Sequence, residues 1–363
     1  MPDETLDASR IYRKGSPFQR WAYGHAARYM HARGVRRHGL SGNGTPYAHL
    51  LVPEDSGFNF LSPLIADALA ARFESHKAGD RARAATNTVA SQPSCFNLFV
   101  PLSRDLALAS AVFGTLMGAP MVVDHIEIEF TPNQLRRLPG YELGERDESL
   151  GDQSGSSGTD ADVALFYRTG SERGVLLVEF KYIEAEFSTC GSYNSGNAER
   201  RRLLRPLCDS AEFLPMVGEP RGDERGRLLC GYARYRNWAL TRRSEALDWE
   251  EISKLPACPF ASSGQQLWRN MLLAENVARQ RSLQQFGFWV ISPRRNETLW
   301  ADGTGDVYAN FARLIRPRER GRFRRLETEA VLGVIAAHLT PDDERRRWWV
   351  EEFRARYLGP EPP

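Results

Sequence analysis

Lysine is nearly missing from this chain: of its 48 lysine and arginine residues only Lys14, Lys77, Lys181 and Lys254 are lysine. A lysine kept among so many arginines is a candidate for work a guanidinium cannot do, because an ammonium is compact and its pKa shifts readily. The 5 cysteines, Cys95, Cys190, Cys208, Cys230 and Cys258, are odd in number and have no Cys-x-x-Cys spacing, which argues against a disulfide framework or a zinc ribbon. The 7 histidines show no His-x-His or His-Glu-x-x-His spacing, which disfavours a zinc hydrolase. No GxxxxGK or GxGxxG follows a strand pattern and no GxSxG elbow occurs, so the common ATPase, dinucleotide and serine hydrolase readings fall away. A net charge of +2 excludes a whole-protein polycation, so attraction to nucleic acid would have to come from local patches. The longest uncharged run, 106–123, is broken by Ser110, Gly114, Thr115, Gly118 and Pro120 and reads as a buried helix followed by a buried strand, with no membrane span. The opening MPDETLD is acidic where a leader would be basic and then apolar, and the expected setting is the reducing cytoplasm.

What is present falls into three stretches, 1–53, 54–300 and 301–363. Residues 8–53 contain no acid but hold Arg10, Arg13, Lys14, Arg20, Arg28, Arg33, Arg36 and Arg37 among Tyr12, Phe18, Trp21, Tyr23 and Tyr29. Pro17 opens a helix to about Ala32 and Gly34 closes it, giving a basic, aromatic arm. Arg13 and Lys14 are candidates for phosphate contact along a duplex or strand; a solvated arginine face over an aromatic seam is the competing account. The core stretch begins with a helical pattern over 91–118, then a strand over 121–130 after Pro120. A polar loop, 144–159, follows, then strands over 162–167 and 175–183 joined by the turn signal TGSERG. Helical patterns near 198–208 and 265–281, a continuously apolar central strand over 286–292 and C-terminal helices, the last over 341–357, complete an α/β plan.

The most informative wording is GTDADVALFYRTGSERGVLLVEFKYIE, residues 158–184. On a strand, residues two apart share a face, so Glu179 and Lys181 converge, and hairpin pairing brings Asp162 beside them. Two carboxylates held close on rigid strands do not both ionise cheaply without a cation, and hard oxygen ligands suit Mg2+, or Mn2+ in its place. The backbone carbonyl of Phe180 is a further candidate ligand. Lys181 would orient or deprotonate an attacking water, or stabilise charge growing on phosphoryl oxygens. A bare Glu-x-Lys triplet is weak evidence and a surface ion pair is the plain alternative, but here the triplet lies in an apolar strand and uses one of the rare lysines.

Asp162 followed by Val178-Glu179-Phe180-Lys181 resembles the PD-(D/E)XK nuclease superfamily, the restriction-endonuclease-like fold. SQPSCFNLFVPL upstream and QLWRNMLLA downstream look like a bacterial branch of the same superfamily, loosely covering 90–300. The resemblance implies a central mixed sheet flanked by helices, metal ligation by Asp162 and Glu179, and a catalytic Lys181. It also implies hydrolysis of DNA, double-stranded by expectation, in restriction or phage defence, with a homodimer or a partner subunit. A further acid is expected from Glu129 or Glu127, which share a face with His125, or from Asp105 or Asp160. Glu184 points away from Lys181 if the strand stays regular. Gln266 and Arg269, three apart on one helical face, are candidates to clamp a phosphate, against the plainer reading of a polar helix face. Gln92 and Asn97 read as caps or structural hydrogen bonds. The rival from another class is a nucleic-acid-binding or scaffold protein that kept the fold without cutting; a structure-specific or RNA nuclease is a third reading.

Overall fold

The computed structural model describes residues 6–75, 81–131, 160–191, 193–211, 213, 237–303 and 305–360. The polar loop expected over 144–159 lies outside these residues.

Helix α1, Pro17–Ala32, begins and ends where the sequence places it. A reciprocal cap fixes its start: the Ser16 hydroxyl accepts the Gln19 N–H at 3.2 Å and the Gln19 side chain accepts the Ser16 N–H at 2.8 Å. Gly34, at φ +85°, ends it in a conformation that side chains with a Cβ avoid. Then come α2, Pro63–Ser75, α3, Ser91–Arg104, and α4, Leu106–Met117. The single helix expected over 91–118 is therefore two, bent by 112°. Asp105 at the break leaves helical geometry, with φ −132° and ψ 78°, and caps α4 by accepting the Leu108 N–H at 3.0 Å. Among the described residues no single helix is long and apolar enough to cross a membrane.

Strand β1, Val122–Phe130, and strands β2, Ala161–Thr169, and β3, Glu172–Phe180, form an antiparallel meander. After α5, Gly264–Gln280, strand β4, Gln285–Ser292, joins β3 in parallel, and β5, Phe323–Glu327, joins β4 in parallel. The chain closes with α6, Thr328–Ala337, and α7, Glu344–Tyr357. The sheet order is β1-β2-β3-β4-β5, so the apolar stretch read as a central strand does have a partner on each side. The β2–β3 hairpin is tighter than its turn signal implies. Thr169 pairs with Glu172, leaving a two-residue loop in which Gly170 takes φ +60°. Strand β3 in turn stops at Phe180, short of the expected 183.

Alternation divides the sheet into two layers. Val163, Leu165, Leu176, Val178, Trp289 and Ile291 point toward α1, α3, α4, α6 and α7, while Ala164, Phe166, Val175, Leu177, Phe288 and Val290 point toward α5. Helix α1 buries Phe18, Ala22 and Ala26 in the first layer. It is tied to α7 by the Tyr29 hydroxyl and Arg33 guanidinium on Glu352, and by a 2.8 Å bond between His25 Nε2 and the Ala355 carbonyl. The N-terminal segment is thus seated on the helical layer above the sheet.

Candidate active site

Three carboxylates lie in one row across three neighbouring strands. Ile128 pairs with Val163 and Phe130 with Ala161, so Glu129 stands opposite Asp162; Val163 pairs with Val178, and one step further sets Asp162 opposite Glu179. Glu179 and Lys181 share the face covered by α5, as their parity requires, and are 4% and 8% exposed. Their side chains form an ion pair at 2.9 Å. Lys181 lies just beyond β3, but its N–H donates to the Ile291 carbonyl at 2.9 Å, so the parallel ladder still fixes its direction. Asp162 sits at the start of β2, where its Oδ2 accepts the Phe180 N–H at 2.6 Å. Phe180 thus meets the row through its backbone, and its ring packs into the opposite layer.

Helix α5 completes the Glu179 environment. Gln266 Nε2 donates to Glu179 Oε1 at 2.6 Å and Asn270 Nδ2 to Oε2 at 2.8 Å. The spacing of four places both amides on one helix face. Gln266 therefore enters the site as a donor to a carboxylate, and its own oxygen accepts the Ser188 N–H at 3.1 Å. Asn270 was missed in the sequence, although its offset from Gln266 was visible there.

Glu129 has left-handed backbone geometry, φ +56°, which costs a residue with a Cβ about 1 kcal/mol or more. The Arg72 guanidinium fixes the distortion by donating to the Ile128 carbonyl at 3.0 Å and to the Glu129 carbonyl. Gln92 Nε2 donates to Glu129 Oε1 at 2.8 Å, so this glutamine serves the acid row and is not a helix cap. Asn97, by contrast, is structural, as expected: it is buried among Leu61, Asn59 and Tyr357.

The electrostatics follow from burying like charges together. Burial, then the carboxylates of Glu179 and Glu129, push the Asp162 carboxyl well above the usual range. Burial raises Glu129 to about 7, and raises Glu179 despite the nearby Lys181 ammonium. Burial alone would pull Lys181 down, but Glu179, Glu184 and Asp162 outweigh it and hold its proton more tightly than usual. The condition for Glu184 to point away, a strand regular past Tyr182, is not met: β3 ends at Phe180, the Glu184 carboxylate accepts the Tyr182 N–H at 2.8 Å, and it lies within electrostatic reach of Lys181. The Lys181 ammonium and the Arg72 guanidinium counter the row only in part, so its carboxyls stay raised, and its donors are hard carboxylate oxygens, a set that suits Mg2+. Among the described residues no three His, Cys, Asp or Glu side chains are gathered as a metal-binding group, and Lys181, Gln266 and Asn270 occupy the Glu179 oxygens.

The other candidates divide between those apart from the row and those beside it. Glu127 bonds His125 at 2.9 Å. Asp105 caps α4 and pairs with Arg346, which takes it out of the site. Asp160, two residues before Asp162, stays coupled to the row: its carboxylate helps raise Glu129 and Glu179, and it lies within electrostatic reach of Arg269 and Lys181. Arg13 and Lys14 are exposed on the segment before α1, where Arg13 reaches the Ala8 carbonyl at 3.4 Å, and no described contact joins them to the acid row.

A five-stranded mixed sheet flanked by helices places the protein in the restriction-endonuclease-like α/β class. More particularly, the chain belongs to the family described as restriction endonuclease associating with ARP, whose model matches residues 24–358. No curated protein and no solved structure matches it.

Proposed function

We propose that this protein is a metal-dependent nuclease of the PD-(D/E)XK type that hydrolyses phosphodiester bonds of DNA. The observation that carries the reading is the cross-strand row Glu129, Asp162 and Glu179 with Lys181 paired to its last member. Asp162 and Glu179, with the Phe180 carbonyl and Glu129, would hold Mg2+, or Mn2+ in its place. Such an ion, when bound, supplies polarisation of a phosphoryl oxygen and a more acidic water. The chain's own residues do the rest. Gln266 and Asn270 hold both oxygens of Glu179 in a fixed direction, and Gln92 does the same for Glu129. Lys181, paired to Glu179, puts a positive charge beside the phosphate, where it would orient or deprotonate the attacking water, or meet negative charge as it grows.

Membership of a restriction endonuclease family supports a nucleic-acid substrate, and its description pairs its members with ARP; both are carried to this chain as part of the proposal, together with a cytoplasmic role in restriction or defence. The test is duplex cleavage with Mg2+ by the wild type and by Lys181→Ala. Cutting by the wild type alone is expected. Binding by both proteins with cutting by neither would assign the chain to inactive nucleic-acid binders, and cutting confined to RNA or branched substrates would move it to another nuclease class.

A further inference from the structure

Strand β1 changes faces near its end. Ile126 is buried in the first layer and Ile128 packs against it, yet Phe130, which regular alternation would place with them, is buried in the second layer. Its partner on β2 behaves alike: Ala161 lies in the second layer while Val163 and Leu165 lie in the first. Glu129 and Asp162 therefore stand where both strands roll over. On β1 the roll is made by the left-handed backbone of Glu129, φ +56°, a conformation that a residue with a Cβ keeps only where its surroundings fix it. On the other side Asp162 accepts the Phe180 N–H with its carboxylate, at the point where the β2–β3 register ends.

One side chain holds this bend from outside the sheet. Arg72, in the last turn of α2, donates through Nε to the Ile128 carbonyl at 3.0 Å and through Nη2 to the Glu129 carbonyl. Successive carbonyls of a regular strand point to opposite sides, so a single guanidinium reaches both only because the left-handed residue turns one of them round. The planar fork of an arginine matches that pair, and an ammonium on a single stem does not. The carboxylate end is gripped from a different element, with Gln92 of α3 donating to Glu129 Oε1 at 2.8 Å. Helix α3 covers the face of Ile126 and Ile128, whereas regular extension would set Glu129 on the other face with Glu127. Gln92 thus meets a carboxylate that the bend has already brought round, and the bend is held by Arg72.

We propose that Arg72 is a positioning residue for the acid row: its fork holds Glu129 in the left-handed backbone, and that backbone delivers the Glu129 carboxylate to the side of Asp162 and Glu179. The claim rests on the nuclease reading for its consequence, which is that Arg72 sets divalent-cation affinity through Glu129 without contributing a ligand.

The test titrates Mn2+ into the full-length protein and follows water-proton relaxation, a signal that does not depend on cutting. Arg72→Met should weaken Mn2+ binding about tenfold, and Arg72→Lys, which keeps the charge and loses the fork, should do nearly the same. Glu129→Gln should weaken it by a similar factor. Adding Arg72→Met to Glu129→Gln should then change affinity by less than about twofold, because the arginine acts through the glutamate. Crystal structures supply the second readout: Glu129 should keep its positive φ in the wild type and return to extended backbone in Arg72→Met. Should Arg72→Met fail to fold, Arg72→Lys carries both measurements. Full affinity in Arg72→Lys, a further loss of about tenfold in the double variant, or a positive φ that persists without the arginine would overturn the positioning role. A wild type that binds no Mn2+, with Glu129 still returning to extended backbone in Arg72→Met, would sink the nuclease reading and leave the backbone claim standing. Equal Mn2+ binding and equal cutting by the wild type and Arg72→Met would do the reverse.

Discussion

Two carboxylates are buried against the same helix and they are not alike. Glu275, on α5 itself, is 3% exposed; it accepts from the Ser244 hydroxyl, the Glu245 N–H at 2.7 Å and Arg279 at 2.8 Å, and its acidic neighbour, Glu245, is open to solvent. Glu179, on the strand beneath α5, has as many donors but shares its low-dielectric surroundings with Asp162 and Glu129, themselves largely removed from water. The first acid is balanced by what the chain supplies and behaves as a structural clamp. The second belongs to a set of crowded acids whose carboxyls are raised by burial and by one another. Burial alone therefore does not mark a functional acid; burial in the company of other acids does.

That contrast can be broken by substitution. The largest effect is expected at the row, where Asp162→Asn or Lys181→Ala should slow Mg2+-dependent cleavage about a thousandfold in single-turnover assays. The melting curve of Asp162→Asn should stay within a few degrees of wild type, since it relieves crowded negative charge, whereas Lys181→Ala leaves Glu179 buried without its ion-pair partner and should melt lower; a collapse of the Asp162→Asn fold would make that residue structural after all. Glu275→Gln should do the opposite, costing about 1 to 3 kcal/mol in chemical denaturation by weakening a buried charged network while leaving cleavage nearly unchanged. A cleavage defect there without a stability loss would erase the distinction.

The buried His49, packed among Tyr12, Tyr23 and Tyr47 in the N-terminal segment, supplies a pH test of the same logic. His49 titrates below its ordinary range when folded, so its contribution to stability is complete above about 6.5 and is lost as pH falls toward about 4, the folded-state value. Denaturation midpoints should drop across that window, by an amount on the order of 2 to 3 kcal/mol at most. His49→Phe should flatten the slope, and an unchanged slope would mean the ring is not buried neutral. The smallest effect is expected at the two amides. Asn270→Ala or Gln266→Ala should slow cutting roughly tenfold, the value of one charge-assisted hydrogen bond to Glu179, with little change in substrate affinity. A loss of affinity instead would restore Gln266 as a phosphate clamp.

Much of the site was legible because it is local. Parity on a strand put Glu179 and Lys181 on one face, and a turn signal put Asp162 beside them, so one hairpin carried the argument. Helix α1 was readable from Ser16, Pro17 and Gly34, each with a local stereochemical job. What sequence could not give was whatever depended on distant or irregular backbone. The break at Asp105 hinges on one residue leaving helical geometry inside an apolar run. The direction of Glu184 depended on whether β3 stayed regular past Phe180, which it does not. Glu129 stood among the candidate acids, but nothing local favoured it over Glu127; its left-handed φ, fixed by Arg72 from α2, separates them. The N-terminal aromatic cluster needs Tyr47 and His49 to fold back on Tyr12 and Tyr23, contacts that no periodicity announces.

The central claim is that Glu129, Asp162 and Glu179 gather a divalent cation. Anomalous diffraction from a crystal soaked in Mn2+ tests it directly. The account predicts a peak within coordination distance of the Asp162 and Glu179 carboxylates, lost in Asp162→Asn; a soaked crystal with no peak at the row, or with manganese bound only at surface acids, would contradict it.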